Sequence, residues 1–570
     1  MTMQGMLYIA LVFALVLGCA FPMGSYMAAI FEGRVNYLAP VESGFYKLAG
    51  VDPKRQMRWT DYAVTLLLLS VIHFLLLYAI LWLQYYLPMN PLHIAGMSPR
   101  LAFNTAASFA TNTNWQAYAP ESQISNGAQV FGLVVHMFIS AAAGISVAAA
   151  VMRAFTGGGL QTIGNFYVDL TRITLYLLLP VTIIASTLLV VAGAPQTFAQ
   201  TLSAHTLDAG SQTIAIGPVA FQEAIKEFGT NGGGFFNANS AHPFENPNAW
   251  TNLLENWLDL VIGFGLPIAF GIMLKDKAQG RALMFTMAII LALGCIGTYA
   301  AEAGGNPLHI AAGVAATGGN MEGKDVRFGI PASTTFNVSA TGTSTGAVDS
   351  FTDSYMPLGG AIPLFLMQLG EVTPGGVGSG FYTIIVFALL SVFVAGLMVG
   401  RTPEYLGKKV QAKEIKLAML GVLILTLFIL AGAGFSLMTK SGLMTKSGLG
   451  SLANAGPHGL SEMLYAWSSA TENNGSAFAG ISADTPLLDY GLGSAMLFGR
   501  FAFLIPILAI TGSLAAKPKL SASAGTFPTT GPLFIGLLIG VIIILGGLQY
   551  LPADTLGPLA DQYLLAAGKT

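Results

Sequence analysis

The run TNTNWQ at residues 111–116 is a short polar stretch between two apolar segments that could each cross a membrane. Three similar polar runs follow it: GTNGGG at 229–234, ATGTSTG at 340–346 and ATENNG at 470–475. Successive intervals between Thr113, Gly232, Gly346 and Gly475 are 119, 114 and 129 residues. Nearly equal spacing of similar motifs is typical of an internal repeat. The sequence therefore predicts four related structural units.

The composition of the polar runs suits cation binding by the backbone. Gly and Asn tolerate left-handed backbone conformations, and rings of carbonyl oxygens can replace the water shell of an alkali cation. One such run is more simply an ordinary turn, but four between apolar segments favour a selectivity filter. The register of the runs stays open, and Gln116 offers a side-chain amide where the other runs offer backbone carbonyls. The candidate filter residues are Thr111, Asn112, Thr113, Asn114, Gln116, Thr230, Asn231, Gly232, Gly233, Thr343, Ser344, Thr345, Gly346, Thr471, Asn473, Asn474 and Gly475.

The composition is that of a membrane protein with many spans. Of 570 residues 54% are hydrophobic and 9% charged, whereas soluble domains carry about 25% charged residues. A span needs about 20 apolar residues. Ten such spans are predicted, at 5–30, 62–87, 129–153, 170–193, 252–274, 282–302, 358–400, 415–438, 489–514 and 531–551. The predicted fold is an all-α polytopic membrane protein.

The basic residues predict the orientation. Seventeen Lys and Arg residues fall on one side of the membrane and seven on the other, so the first side is predicted to be cytoplasmic. Both termini and the four polar runs are then outside, where 18 acidic residues give a net charge of -11. An acidic mouth concentrates cations. The alternative is that acidic residues are only weakly constrained by the orientation rule.

Spans two to nine pair into four units of helix, half-helix, polar run and helix. The half-helices are predicted at 99–110, 218–229, 327–340 and 457–470, with their negative carboxyl ends aimed at the cation. The predicted segments are an N-terminal helix and loop (1–60), four pore repeats (61–155, 156–276, 277–413 and 414–515) and a C-terminal helix (516–570). A hexapeptide at 437–442 is repeated at 443–448 and receives no role.

The seventh span is broken in its middle by glycines and Pro374. Irregular backbone at membrane depth survives where it is buried in protein or lines a wet cavity. Here it carries Glu371, Gly375 and Gly376, and the only basic residue within a span is Arg500. We expect Glu371 and Arg500 to face each other beneath the filter and to form or brace a gate. The alternatives are a structural ion pair, or two groups that reach opposite interfaces.

Four runs form a specific set of motifs: GTNGGGFFN at 229–237, LGEV at 369–372, GRTPEYLGKK at 400–409 and NNGSAF at 473–478. Together they resemble one family, the potassium-binding A subunit (KdpA) of the bacterial Kdp ATPase. The resemblance covers nearly the whole chain and implies four pseudo-repeats around one potassium pore. By resemblance, Gln116, Gly232, Gly346 and Gly475 match filter positions, Glu371 and Arg500 match a gating region, and Phe387 matches a lining residue of a lateral tunnel.

The resemblance also implies partners and a location. It implies a P-type subunit that hydrolyses ATP, small accessory membrane subunits, K⁺ as the transported ion and the bacterial inner membrane as the location. No catalytic motif or ATP site is recognised in this chain. The alternatives are a stand-alone channel-like K⁺ or Na⁺ transporter and a secondary transporter. The latter favours paired broken helices, and only one broken span is found.

Overall fold

The computed structural model describes residues 1–208, 210–315, 318–398, 400–439, 448–521 and 526–568. The repeated hexapeptide at 443–448 lies almost wholly outside them. The helices are α1 Met3–Phe31, α2 Ala39–Ala49, α3 Trp59–Trp82, α4 Pro99–Ala110, α5 Pro120–Gln123, α6 Asn126–Thr156, α7 Phe166–Ala192, α8 Val219–Phe228, α9 Ala249–Met273, α10 Lys277–Ala303, α11 Pro307–Ala311, α12 Gly329–Gly342, α13 Pro357–Gln368, α14 Ser379–Met398, α15 Ala412–Met438, α16 Gly456–Glu472, α17 Pro486–Ala516, α18 Pro532–Asp554 and α19 Ala560–Ala566.

Ten helices in the described part of the chain are long and apolar enough to cross a membrane, as predicted. They are α1, α3, α6, α7, α9, α10, α14, α15, α17 and α18. The seventh predicted span is divided, because α13 ends at Gln368 and α14 begins at Ser379. The glycines and Pro374 between them explain this break, since neither sustains a regular helix.

Four short helices, α4, α8, α12 and α16, lie between successive pairs of spans and are called the pore helices. Their bounds agree with the predicted half-helices to within a few residues. The span after each pore helix is more buried than the span before it. The extremes are α9, with 89% of its apolar window buried, and α3, with 17%. The second helices of the repeats therefore form the inner wall, and the first helices form the outer wall.

The first and last spans pack outside the four repeats. α1 lies along α9 so closely that a Cβ atom on Gly24 would be 2.6 Å from the carbonyl oxygen of Gly265. Small residues permit such close helix contacts in membranes. α18 packs on the broken seventh span, where Gly546 faces Leu369. Within the described residues the strands form two antiparallel pairs, β1 Thr201–His205 with β2 Ser211–Ala215 and β3 Glu404–Tyr405 with β4 Lys408–Lys409.

Candidate functional site

The four polar runs lie at the carboxyl ends of the pore helices, and we call them the filter loops. Two residues in each loop, two positions apart, have a left-handed backbone. They are Asn112 and Asn114, Thr230 and Gly232, Ser344 and Gly346, and Asn473 and Gly475. This repeated conformation gives a common register to four loops of different sequence. The Asn and Gly residues fit because they adopt positive φ at the lowest cost.

The backbone amides of the filter loops bond back to their own pore helices. Ser108 O accepts from the amides of Thr113 and Asn114 at 2.9 and 3.1 Å. Lys226 O in the second repeat and Ala340 O in the third each accept from the same pair of positions. In the fourth, Asn474 N donates to Ser469 O and Gly475 N to the Ser469 hydroxyl. These backbone amides therefore point towards the pore helices and away from the opposite face of each filter loop.

One carbonyl oxygen at an equivalent position in every loop accepts no hydrogen bond from the described residues. These oxygens belong to Thr113, Asn231, Thr345 and Asn474. Threonine hydroxyls also bond to each other within a loop. The Thr111 and Thr113 hydroxyl oxygens lie 2.8 Å apart, and those of Thr343 and Thr345 lie 2.7 Å apart. Unsatisfied buried carbonyl oxygens are unusual in proteins, and they are the groups that coordinate alkali cations in filters.

Close contacts between neighbouring loops close them into a ring. A Cβ atom on Gly232 would lie 1.7 Å from Thr345 O, and one on Gly475 would lie 1.8 Å from Thr113 O. A Cβ atom on Gly346 would meet the backbone of Gly475 at 2.5 Å. The first and second loops are joined by the Asn112 amide, which donates to Thr230 O at 2.9 Å. Glycine is therefore required at three of the four junctions between neighbouring loops.

The common register places Asn114, rather than Gln116, at the position equivalent to the three glycines. Gln116 lies two residues further on, where its side-chain amide donates to Gly234 O and to the Tyr118 hydroxyl at 3.2 Å. It lines a cavity of about 820 Å³ over the ring, together with residues that follow all four filter loops, including Asp349. Thr471 lies in the last turn of α16, and Gly233 packs against Asn114.

The break between α13 and α14 lies against the carboxyl ends of the pore helices. Gly375 N donates to Gly342 O at 2.9 Å, and Val377 N donates to the Thr230 hydroxyl at 3.0 Å. Glu371 is buried, and its carboxylate accepts from the Asn474 amide at 2.8 Å. Gly376 faces Ser344. This loop therefore touches three of the four filter loops.

Two small cavities extend from this loop and share Gly370, Thr383, Leu425, Glu472 and Phe503. The first, about 20 Å³, is lined by Glu371, Arg500 and Asn473. The second, about 30 Å³, reaches α18 and is lined by Phe387, Gln549 and Tyr550. Glu371 and Arg500 therefore border one cavity, but no ion pair joins their side chains among the residues that the structure describes.

The family of this chain is shown by its similarity to known proteins. A model of the potassium-transporting ATPase A subunit matches residues 10–563. The chain belongs to this family. Among its relatives, a protein of Beijerinckia indica subsp. indica is 54% identical over 567 residues, covering 99% of each chain. Another, from Allorhizobium ampelinum, is 53% identical over 572 residues and covers 100% of both. Both are named potassium-transporting ATPase potassium-binding subunit.

A solved structure also shares the fold of this family member. The potassium transporter TrkH from Vibrio parahaemolyticus aligns with a TM-score of 0.52 and 13% sequence identity. The alignment covers 86% of this chain and 97% of that chain. At this identity the likeness concerns the fold alone.

Sequence reasoning missed three groups around the pore. His136 lies beside His73, with ring centres 4.9 Å apart and its Nε2 atom 2.9 Å from His73 O, so two titratable rings pack together. Lys226 is buried among carboxylates behind the second filter loop. His458, at the start of α16, bridges Asp353 and Asp561 at 2.9 and 2.8 Å. The partners of His136 and His458 are distant in sequence, as is Glu245 from Lys226, so spacing carried no signal for these contacts.

Proposed function

We propose that this chain binds K⁺ from outside the cell in the ring of filter loops and passes it towards an ATP-hydrolysing partner for import. The observation that carries the proposal is the set of equivalent free carbonyl oxygens on Thr113, Asn231, Thr345 and Asn474. Backbone carbonyls are neutral, hard oxygen ligands, and four loops can surround a dehydrated alkali cation without trapping it by charge.

The two cavities beyond the ring support a sideways exit. They run from the gating region at Glu371 and Arg500 past Phe387 to α18, rather than straight along the axis of the ring. Gly375 and Gly376 lie in the loop between α13 and α14 and determine the course of its backbone. We infer that Glu371 holds this loop against Asn474 until an ion arrives, and that Arg500 repels a cation from the direct route.

We propose the orientation with both termini outside, and the ion pairs support its division of the charged residues between two sides of the membrane. Pairs such as Arg153 with Asp169 join residues assigned to the cytoplasmic side, at 2.7 Å. Others, such as Lys324 with Glu302 at 2.8 Å, join residues assigned to the outside. No ion pair of the described residues joins one side to the other. The cytoplasmic assignment of the more basic side rests on the orientation rule.

The names of the relatives support a partner that hydrolyses ATP. We propose a P-type ATPase subunit, with small accessory membrane subunits, in the inner membrane of a bacterium. The catalytic chemistry would then lie in the partner, and this chain would select the ion.

The test is gentle purification of this chain from its native membrane, followed by an assay of ATP hydrolysis with and without K⁺. A co-purifying large subunit and hydrolysis that rises with K⁺ are expected. If the chain comes alone, and K⁺ or Na⁺ flows down its gradient after reconstitution, it is a stand-alone channel-like transporter instead. Gln116→Arg and Gly232→Asp should each lower the apparent K⁺ affinity or relax selectivity.

A further inference from the structure

An acidic cluster lies behind the second filter loop, between α8 and α9. Its five carboxylates belong to Glu223 and Glu227 on α8, Glu245 in the following loop, and Glu255 and Asp259 on α9. All five side chains are buried. Buried carboxylates are expensive unless a positive charge or hydrogen-bond donors compensate them.

One positive charge is present in this cluster. The Lys226 ammonium lies 2.8 Å from Glu223 Oε2, 2.8 Å from Glu245 Oε2 and 3.2 Å from Glu227 Oε1. It also donates to Asn239 and Ser240 at 2.8 Å. One ammonium balances one of the five carboxylates, so the other four, Glu255 among them, need protons or a further cation for neutrality.

Some carboxylate oxygens of this cluster also lack a hydrogen-bond donor. Both carboxylate oxygens of Glu255 and the Oε2 atom of Glu227 are buried and accept no hydrogen bond from the described residues. The Ser240 hydroxyl lies near Glu255, but its one hydrogen already serves Glu223 Oε1 and Glu227 Oε1, each at 3.0 Å. Glu223 lies beside these unpartnered groups, because one oxygen from each of Glu223, Glu227 and Glu255 lies within 4.8 Å of the other two.

We propose that Glu223, Glu227 and Glu255 bind a divalent cation with the chemistry of Ca²⁺. Ca²⁺ takes oxygen ligands at about 2.3–2.6 Å, so oxygens on opposite sides of it lie up to about 5 Å apart, which accommodates the observed spacing. The three side chains provide hard carboxylate oxygens, which suit Ca²⁺ or Mg²⁺ rather than zinc. Burial favours Ca²⁺, because Mg²⁺ gives up its water reluctantly.

This site would be structural and separate from the transported ion, so it goes beyond the proposed function. The acidic cluster is linked by hydrogen bonds to two of the filter loops. Asn239 receives a hydrogen bond from Lys226 and donates to Gly232 O at 2.7 Å. Asp259 accepts from the Thr345 hydroxyl at 3.0 Å. A cation beside these groups would fix the wall of the ring without occupying its axis.

The test is equilibrium dialysis of the purified complex with ⁴⁵Ca²⁺, after a chelator wash and in K⁺-free buffer. Wild type is expected to bind about one Ca²⁺ per chain at millimolar Ca²⁺, the affinity range of extracellular sites. Glu255→Gln keeps the shape but removes the charge, and binding should weaken at least tenfold. Glu322→Gln is the matched control, because that side chain is 52% exposed, and it should bind as wild type does.

An excess of KCl should leave the bound Ca²⁺ in place, since the filter is a different site. Displacement by KCl would assign the ion to the filter or mouth and overturn the proposal. So would equal binding by Glu255→Gln, or no binding by wild type, in which case protons neutralise the cluster. If Glu255→Gln does not assemble, Glu255→Asp retains the charge on a shorter arm and should bind more weakly than wild type. Potassium-stimulated ATP hydrolysis of the same samples reports separately on the proposed function.

Discussion

Replacing Gly232 by alanine tests the ring of filter loops most directly. The new Cβ atom would lie 1.7 Å from Thr345 O and 2.6 Å from its carbonyl carbon. Ordinary contact begins at 3.4 Å, so the second and third loops must separate by about 1.7 Å at this point. The left-handed backbone at φ +80° adds about 1–2 kcal/mol of strain for alanine.

A displacement of this size moves the Thr345 carbonyl away from any ion that it coordinates. Functional groups must be held to about 0.5 Å, and a misplacement of about 1 Å can cost a factor of about 100. We therefore expect the K⁺ concentration that half-saturates ATP hydrolysis by the purified complex to rise about 100-fold or more. That corresponds to about 2.7 kcal/mol of lost binding free energy.

The matched control is Gly434→Ala. Gly434 lies about one turn before the end of α15, with no heavy atom within 4 Å of an added Cβ, so its complex should keep the wild-type K⁺ dependence and gain slightly in helix stability. Gly475→Ala repeats the test at another contact, 1.8 Å from Thr113 O. If either filter variant assembles and its half-saturating K⁺ concentration stays within about twofold of wild type, the reasoning about the ring is refuted.

Three further predictions follow from the site and its surroundings. Asn114→Gly should keep the K⁺ dependence of hydrolysis within about twofold, because the equivalent position is glycine in three loops and φ is +54°; a large loss would mean that the Asn side chain takes part. Glu371→Gln keeps an acceptor for the amide from the fourth loop but removes the charge, so we expect a lower maximal rate with unchanged half-saturation, measured by hydrolysis against K⁺ concentration. Burial lowers the pKa of His458, but its hydrogen bonds to Asp353 and Asp561 outweigh this and raise it to about 10; its stabilising effect is therefore complete below about pH 6.5 and is lost as the pH rises through about 10. Thermal unfolding should show this decline in wild type and not in His458→Gln.

The sequence predicted the parts of this fold that depend on local pattern. Ten apolar spans, four half-helices and the interruption near Pro374 were all visible, because span length, glycine content and proline act over a few residues. The register of the filter loops was not. Gln116 stood out by its chemistry, whereas the backbone dihedral angles place Asn114 in the equivalent position, and those angles follow from contacts with neighbouring loops.

Side-chain clusters formed by distant segments were also beyond sequence reasoning. Glu223 and Glu227 share a helix face, but Glu255 meets them only after the chain has formed the second filter loop. The pairing of His73 with His136 depends on the packing of α3 against α6. The sequence correctly indicated that Glu371 is a buried ionisable group. Its carboxylate accepts a hydrogen bond from Asn474, however, and not from Arg500.

The ring is assembled from four unlike loops of a single polypeptide, and this affects how it can change during evolution. In a channel built from identical subunits, one codon change alters every wall of the filter at once. Here a single codon change alters one wall, while the other three still hold the opening to size. Ion preference could thus drift in small, separately inherited steps, as the difference between Asn114 and its three glycine counterparts already illustrates.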